Sequence, residues 1–303
     1  MAQRLLAAAL IAAHTVQSAS APVSHSAVGL VDNSVWDEAF RAPNATGSVR
    51  VKGFNLSAPF PGTASDDWGF TIQVRDSIRR SDGKFATGIW IQLDAPDNLV
   101  QKTTNRTTVP QDPSWRVCQG FMDFPTLRSD AETVPGSCEG VLPKECIEAY
   151  ADSLARGFGQ RGNRNFQCPR LDPPVQCNAT LGSLNGGIGT ILAAGQASVT
   201  DSGLFDYARL GLSEDNAGHD LGNHTAYDIA IRRITLVALA WGYSNTTGRT
   251  SENTGSVAAS LSCLRVNQFE PGSRRLSAGA HHRPKALGLM VWVGITVMAL
   301  TYV

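Results

Sequence analysis

The chemistry-bearing residues of this chain gather most densely in one run. Asp215-Asn216-Ala217-Gly218-His219-Asp220-Leu221-Gly222-Asn223-His224 is followed shortly by Asp228. Two imidazoles with carboxylates nearby are the material of a metal site or of an acid–base pair working near neutral pH. The spacing argues against both. A helical zinc pair needs i, i+4, whereas His219 and His224 stand at i, i+5 across Gly222, and Asn223 between them begins a glycosylation sequon. A solvated loop is the plainer reading, with His219 and His224 kept as weak metal candidates and no cofactor expected.

Glycoside hydrolysis would need two carboxyls facing each other across a cleft, about 5 to 10 Å apart. Asp66, Asp67, Asp94, Asp97, Asp206 and Asp228 supply the carboxyls, and ordinary acidic turns account for them equally well. No Gly-x-Ser-x-Gly elbow occurs, so a serine hydrolase has no support. Trp68, Trp90 and Trp115 are candidate platforms for stacking sugar rings. Trp90 points away from Ile89, Ile91 and Leu93; a second layer covering it is the alternative. No catalytic residue is assigned.

The elements that would position these residues read mainly as strands. Val49 and Val51 alternate with Arg50 and Lys52, Phe70, Ile72 and Val74 with Thr71, Gln73 and Arg75, and Ile89, Ile91 and Leu93 with Trp90, Gln92 and Asp94. Such a period of two marks antiparallel strands with one face on a core. Tyr227, Ile229 and Ile231 begin a further strand by the same alternation. It continues as Ile234 to Tyr243, apolar on both faces and so central to its sheet. Thr254 to Phe269 reads as one last strand carrying Cys263. Pro143 to Gly157 reads instead as a helix, since Ile147, Tyr150, Ala151 and Leu154 fall at i, i+3, i+4 and i+7. The glycine-rich Gly182 to Thr190 lacks the Gly-Lys-Ser/Thr ending of a phosphate loop and reads as a turn. The expected fold is mainly β, an antiparallel β-sandwich or jelly roll with one disulfide-stapled helix.

Targeting signals frame this domain. Arg4, the apolar Leu5 to Ala13 and Ala19-Ser20-Ala21 form a signal peptide over residues 1–21. Ala286 to Val303 is an apolar tail with no charge after it, preceded by the spacer Ala280 to Lys285 and the small triplet Ser277-Ala278-Gly279. That order is a GPI-anchor signal, removed over 278–303, with Ser277 the attachment residue. A single glycosylated ectodomain is expected over 22–277, with a cysteine-rich helical excursion over 118–177. Sequons at Asn44, Asn55, Asn105, Asn178, Asn223 and Asn245 mark expected surface positions. Cys118, Cys138, Cys146, Cys168, Cys177 and Cys263, an even set in a secretory chain, are all assigned to disulfides. Cys118 lies in a strand-like segment and Cys263 in the last strand, so Cys118–Cys263 is the expected long-range bridge, with the other four pairing locally. Lys and Arg balance Asp and Glu at 26 each, so no basic footprint for nucleic acid exists.

The run Cys138-Glu139-Gly140-Val141-Leu142-Pro143-Lys144-Glu145-Cys146-Ile147, followed by Cys168-Pro169 and Cys177, resembles the cysteine pattern of secreted, GPI-anchored ascomycete cell-surface glycoproteins. The resemblance covers about 40 residues. It implies a compartment and a disulfide style and carries no activity. Together these features describe a non-enzymatic cell-surface or cell-wall glycoprotein, acting in structure, adhesion or recognition. The alternative is a jelly-roll protein that binds or cleaves wall polysaccharide. Partners expected are wall polysaccharide or surface glycan, and the membrane through a lipid anchor.

Overall fold

The structure is a computed structural model that describes residues 30–99, 101–102, 107–108, 112, 114–128, 136–157, 172–181, 188–190, 205–210, 218–244 and 254–275. The expected signal peptide, the anchor signal with Ser277, and Asn105, Asn245, Cys168, Asp215 and the Asp206 side chain lie outside the described parts. None of the described helices is long and apolar enough to cross a membrane.

Strands dominate, arranged in two antiparallel sheets. The strands are β1 (Ala45–Phe54), β2 (Ala64–Arg79), β3 (Phe85–Asp94), β4 (Gln101–Lys102), β5 (Thr107–Thr108), β6 (Trp115–Arg128), β7 (Ile188–Thr190), β8 (Phe205–Leu210), β9 (Arg233–Ser244), β10 (Thr254–Leu264) and β11 (Gln268–Phe269). The first sheet runs β11-β1-β2-β3-β8, the second β10-β9-β6-β7, and β4 pairs with β5 alone. The helices are α1 (Asn33–Phe40), α2 (Lys144–Gly157), α3 (Asn178–Leu181) and α4 (Thr225–Ala230).

Both sheets feed one apolar cluster, as the period-two pattern requires. Phe70, Ile72 and Val74 of β2 and Ile89, Ile91 and Leu93 of β3 meet Trp115, Val117 and Phe121 of β6 and Val237, Leu239 and Trp241 of β9. Trp68 from the first sheet stands edge-on to Trp241 of the second, ring centroids 4.9 Å apart. The Trp68 indole N–H, which would be costly to leave unpaired in such a core, donates to the Phe54 carbonyl at 3.1 Å. The expected doubly buried strand is β9, flanked by β10 and β6. Its other face, through Leu236 and Ala238, packs with Met122, Tyr150 and Leu154 under α2. The expected helix is α2, amphipathic as read, with the Tyr150 hydroxyl directed at Met122 Sδ at 3.2 Å.

Four expectations are corrected. Tyr227 to Ile231 does not begin a strand: Ala226, Tyr227, Ala230 and Ile231 are the buried positions, a helical spacing, and α4 ends before β9 begins. Thr254 to Phe269 is two strands in different sheets. The chain leaves β10 after Leu264, crosses at Arg265 to Asn267, and pairs Phe269 with Ala45 of β1. The crossing lies so close to β1 that a Cβ on Gly47 would stand 1.8 Å from the Arg265 carbonyl oxygen. Ile188–Thr190, read as part of a turn, is β7 and pairs with Phe121 to Asp123. Finally, Cys263 is bridged to Cys138 and Cys146 to Cys177, not Cys118 to Cys263. The reason is sheet order. β9 separates β6 from β10, so Cys118 is two strands, about 10 Å, from the β10 edge, too far for a disulfide.

Candidate functional site

One polar cluster interrupts the inner face of the first sheet, and a bulge in β2 builds it. Phe70, Ile72 and Val74 point inward, and Asp76 is next in phase. The β2–β3 register then slips between Arg75 and Ile78. Ser77, at the slip, has φ 57°, the left-handed region, and is the one non-glycine residue there among the described residues. For serine this backbone costs on the order of 1 kcal/mol. Its effect is to invert the alternation. Asp76 stays on the inner side, while Ile78 moves to the outer face and packs with Trp36 and Phe40 of α1. The Asn44 side-chain carbonyl braces the bulge by accepting the Asp76 backbone N–H at 2.7 Å.

The Asp76 carboxylate is 8% exposed. Its Oδ1 accepts the Thr87 hydroxyl at 3.0 Å, and its Oδ2 is hydrogen-bonded to His224 Nδ1. A carboxylate only accepts, so His224 carries its proton on Nδ1 and in the neutral ring leaves Nε2 as the acceptor. His219 comes in from a separate backbone bridge, exchanging 2.8 and 2.9 Å hydrogen bonds with Phe85. Its Nδ1 meets the Asp220 carbonyl at 3.1 Å, and its buried Nε2 stands 3.9 Å from Asp76 Oδ1 without a hydrogen-bond partner. Beside them, α4 presents Tyr227, whose hydroxyl donates to the Arg274 carbonyl at 3.2 Å. Burial first, and then the charges of Asp76 and Asp228, push the Tyr227 phenol up to about 12. Arg274 in turn grips Asp228 with two hydrogen bonds of 2.7 and 2.8 Å, tying the segment after β11 to α4.

An aspartate that fixes the tautomer of an imidazole is half of the arrangement hydrolases use to make a general base. The other half is not assembled: the Thr87 hydroxyl is spent on Asp76, and no Ser, Thr or Cys among the described residues is bonded to His224. Nor does any group of three or more His, Cys, Asp or Glu among the described residues suit a metal ion. What the cluster does is hold four elements together: β2, β3, α4 and the loop bearing His219.

The two histidines are therefore joined through a third residue. His219 is 8% exposed, so the solvated-loop reading fails for it, while His224 keeps a partly open ring. Asp76 escaped the sequence reading, although a carboxylate in phase with Phe70, Ile72 and Val74 was its signal. The proposed carboxyl pairs are not brought face to face. Asp67 meets exposed Arg50 at 3.0 Å, Asp94 accepts the Thr71 hydroxyl, Asp228 holds Arg274, and Asp66 and Asp97 are exposed. The tryptophan platforms are withdrawn. Trp68, Trp90 and Trp115 are 2%, 7% and 0% exposed. Trp90 does point outward from the core, but α1 covers it, with Phe40 edge-on at 5.5 Å. Of the sequons, Asn178 and Asn223 are exposed and Asn55 is half-buried; Asn44 is half-buried with its side-chain amide donating to Ser273 at 3.3 Å.

Asp94 supplies a pH test. Desolvation raises its carboxyl above the ordinary range, against the lowering effect of the Thr71 hydrogen bond. The folded state then holds this proton more readily than the unfolded chain, so stability falls as pH rises through a window opening at about 4. Asp94→Asn, which keeps an acceptor for Thr71, is expected to be more stable than the parent at pH 7. The gain should fade as pH drops below about 4, where both unfolded and folded Asp94 are protonated. Urea unfolding at both pH values checks this; an Asn variant less stable at pH 7 overturns it.

Compared with known proteins, the chain matches no protein-family model, no curated protein and no solved structure.

Proposed function

We propose that this chain is a GPI-anchored glycoprotein of the outer face of the plasma membrane or of the cell wall, non-enzymatic, and acting in wall structure, adhesion or recognition. The two sheets form a β-sandwich, closed by contacts such as Trp68–Trp241 and the edge-on Phe70–Phe121 pair at 6.1 Å. The observation that carries the reading is the bridge between Cys138 and Cys263 across 125 residues. A disulfide closing so long a loop belongs to an oxidising compartment, in keeping with the leader, sequons and tail read in the sequence. Wall polysaccharide or surface glycan is the proposed partner class. The polysaccharide-cleaving alternative loses its tryptophan platforms, which are core residues.

Phosphatidylinositol-specific phospholipase is expected to release the full-length protein from membranes, and deletion of residues 286–303 to send it into the medium. Retention after lipase treatment, with the tail still present by mass spectrometry, overturns the anchor and favours a membrane span.

A further inference from the structure

The β2 bulge has a second face. Opposite Asp76, it opens onto a shallow groove of about 510 Å³ between α1 and β2, lined among others by Ser34, Glu38, Arg75, Ser77 and Arg79. Ser77, the residue held in left-handed backbone, lines this groove. Strain of this kind persists where surrounding structure over-determines it, and it collects at ligand-holding sites.

The charge in the groove is unlike that elsewhere on the surface. Arg41, Arg50, Arg80, Arg156 and Arg274 each meet a carboxylate. Among the described residues, Arg75 and Arg79 meet none. Arg75 is nevertheless fixed, because its Nη1 donates to the Ala42 carbonyl, just beyond α1, at 2.6 Å. That bond uses one of five guanidinium N–H donors and sets the plane of the fork. A pre-oriented guanidinium beside a second cation suits a planar or tetrahedral oxyanion. Glu38 on the opposite wall is engaged by Arg41, so it does not neutralise the pair. The hydroxyls of Ser34 and Ser77 add donors and acceptors of the kind a sugar ring needs.

We propose that this groove binds an acidic glycan, its sugar carboxylate or phosphate held by Arg75 and Arg79 and its hydroxyls by Ser34 and Ser77. The proposal deepens the extracellular reading above by naming an acidic rather than neutral glycan, and it rests on that reading.

The test is calorimetric titration of the full-length protein with a glucuronate oligosaccharide, with mannose phosphate and with a neutral glucan oligosaccharide. Binding of an acidic probe, weakening as salt is raised, and no binding of the neutral one are expected. The two acidic arms distinguish a carboxylate from a phosphate ligand. Arg75→Ala combined with Arg79→Ala should weaken binding by about tenfold or more. Glu38→Gln should leave it equal or tighter. These are surface positions, so an unchanged melting temperature will confirm that the variants fold. Absence of acidic binding, equal binding of the neutral probe, or a double variant that binds as the parent does overturns the proposal. Because binding is read in solution, this outcome is independent of the phospholipase result, which tests the anchor alone.

Discussion

Replacing Cys138 and Cys263 together by alanine is expected to lower stability by about 5 kcal/mol. The figure follows from the chain-entropy cost of opening a loop whose ends are 125 residues apart. The same substitution at Cys146 and Cys177, 31 residues apart, should cost about 3.5 to 4 kcal/mol. Set against a typical domain stability of about 5 to 15 kcal/mol, the first loss alone approaches the threshold for folding. Cys138 also adjoins a local tie: the Gly136 carbonyl accepts the Cys263 N–H at 3.2 Å, along the outer edge of β10. Breaking the bridge therefore frees the segment that covers that edge. Denaturant unfolding of both double variants measures the order. Non-reducing peptide mapping measures the pairing, and it should link the Cys138 and Cys263 peptides. Cys118 is itself disulfide-bonded, and the two bridges above leave Cys168 as its partner by count, so a Cys118–Cys168 peptide is expected too. A Cys118–Cys263 peptide, or a double variant that loses less than about 1 kcal/mol, overturns this account.

That the pairing was misread from sequence has a geometric cause. Alternation identifies strands and their inward faces, and it did so for β1, β2, β3 and β9. It carries nothing about which strands are neighbours, and the Cys118–Cys263 assignment depended on β6 lying beside β10. The sheet instead places β9 between them. Short helices were illegible for a different reason. With 8 residues, α1 is too short to be helical on propensity and is held by Trp36 and Phe40 against Ile78 and Trp90. Until that packing is known, Trp90 reads as an open face. In α4 the two periods compete: Tyr227, Ile229 and Ile231 alternate, while Tyr227, Ala230 and Ile231 fit a helix, and the burial of Ala230 decides between them. The site was legible in its histidines and not in its centre. Asp76 stands 143 residues before His219 and is joined to it only by the fold, which a bulge at Ser77 makes possible.

Removal of that centre should be costly. Asp76→Ala is expected to destabilise by about 3 kcal/mol, because it strips the buried Thr87 hydroxyl and His224 Nδ1 of their acceptor at once. The loss should fall short of that for a fully buried ion pair, since the His224 side chain is 39% exposed and can turn to water. Asp76→Asn keeps one acceptor oxygen and the shape, so a smaller loss, about 1 to 2 kcal/mol, is expected. Asn44→Ala attacks the same bulge from β1, and Ser77→Gly relieves its backbone; the latter should be neutral or stabilising by up to about 1 kcal/mol. The pattern matters more than any single value. If the cluster fastens α4 and the His219 loop to the sheet, the alanine variant should lose native-state hydrogen-exchange protection at α4 and at the His219–Phe85 bridge ahead of the rest. Imidazole nitrogen spectra give the independent reading: His224 should be protonated at Nδ1 in the parent and lose that preference in Asp76→Ala. A variant with unaltered stability and an unaltered His224 tautomer would mean that Asp76 does not organise these histidines. Their proximity would then come from the Phe85–His219 bridge and the entry into α4 alone.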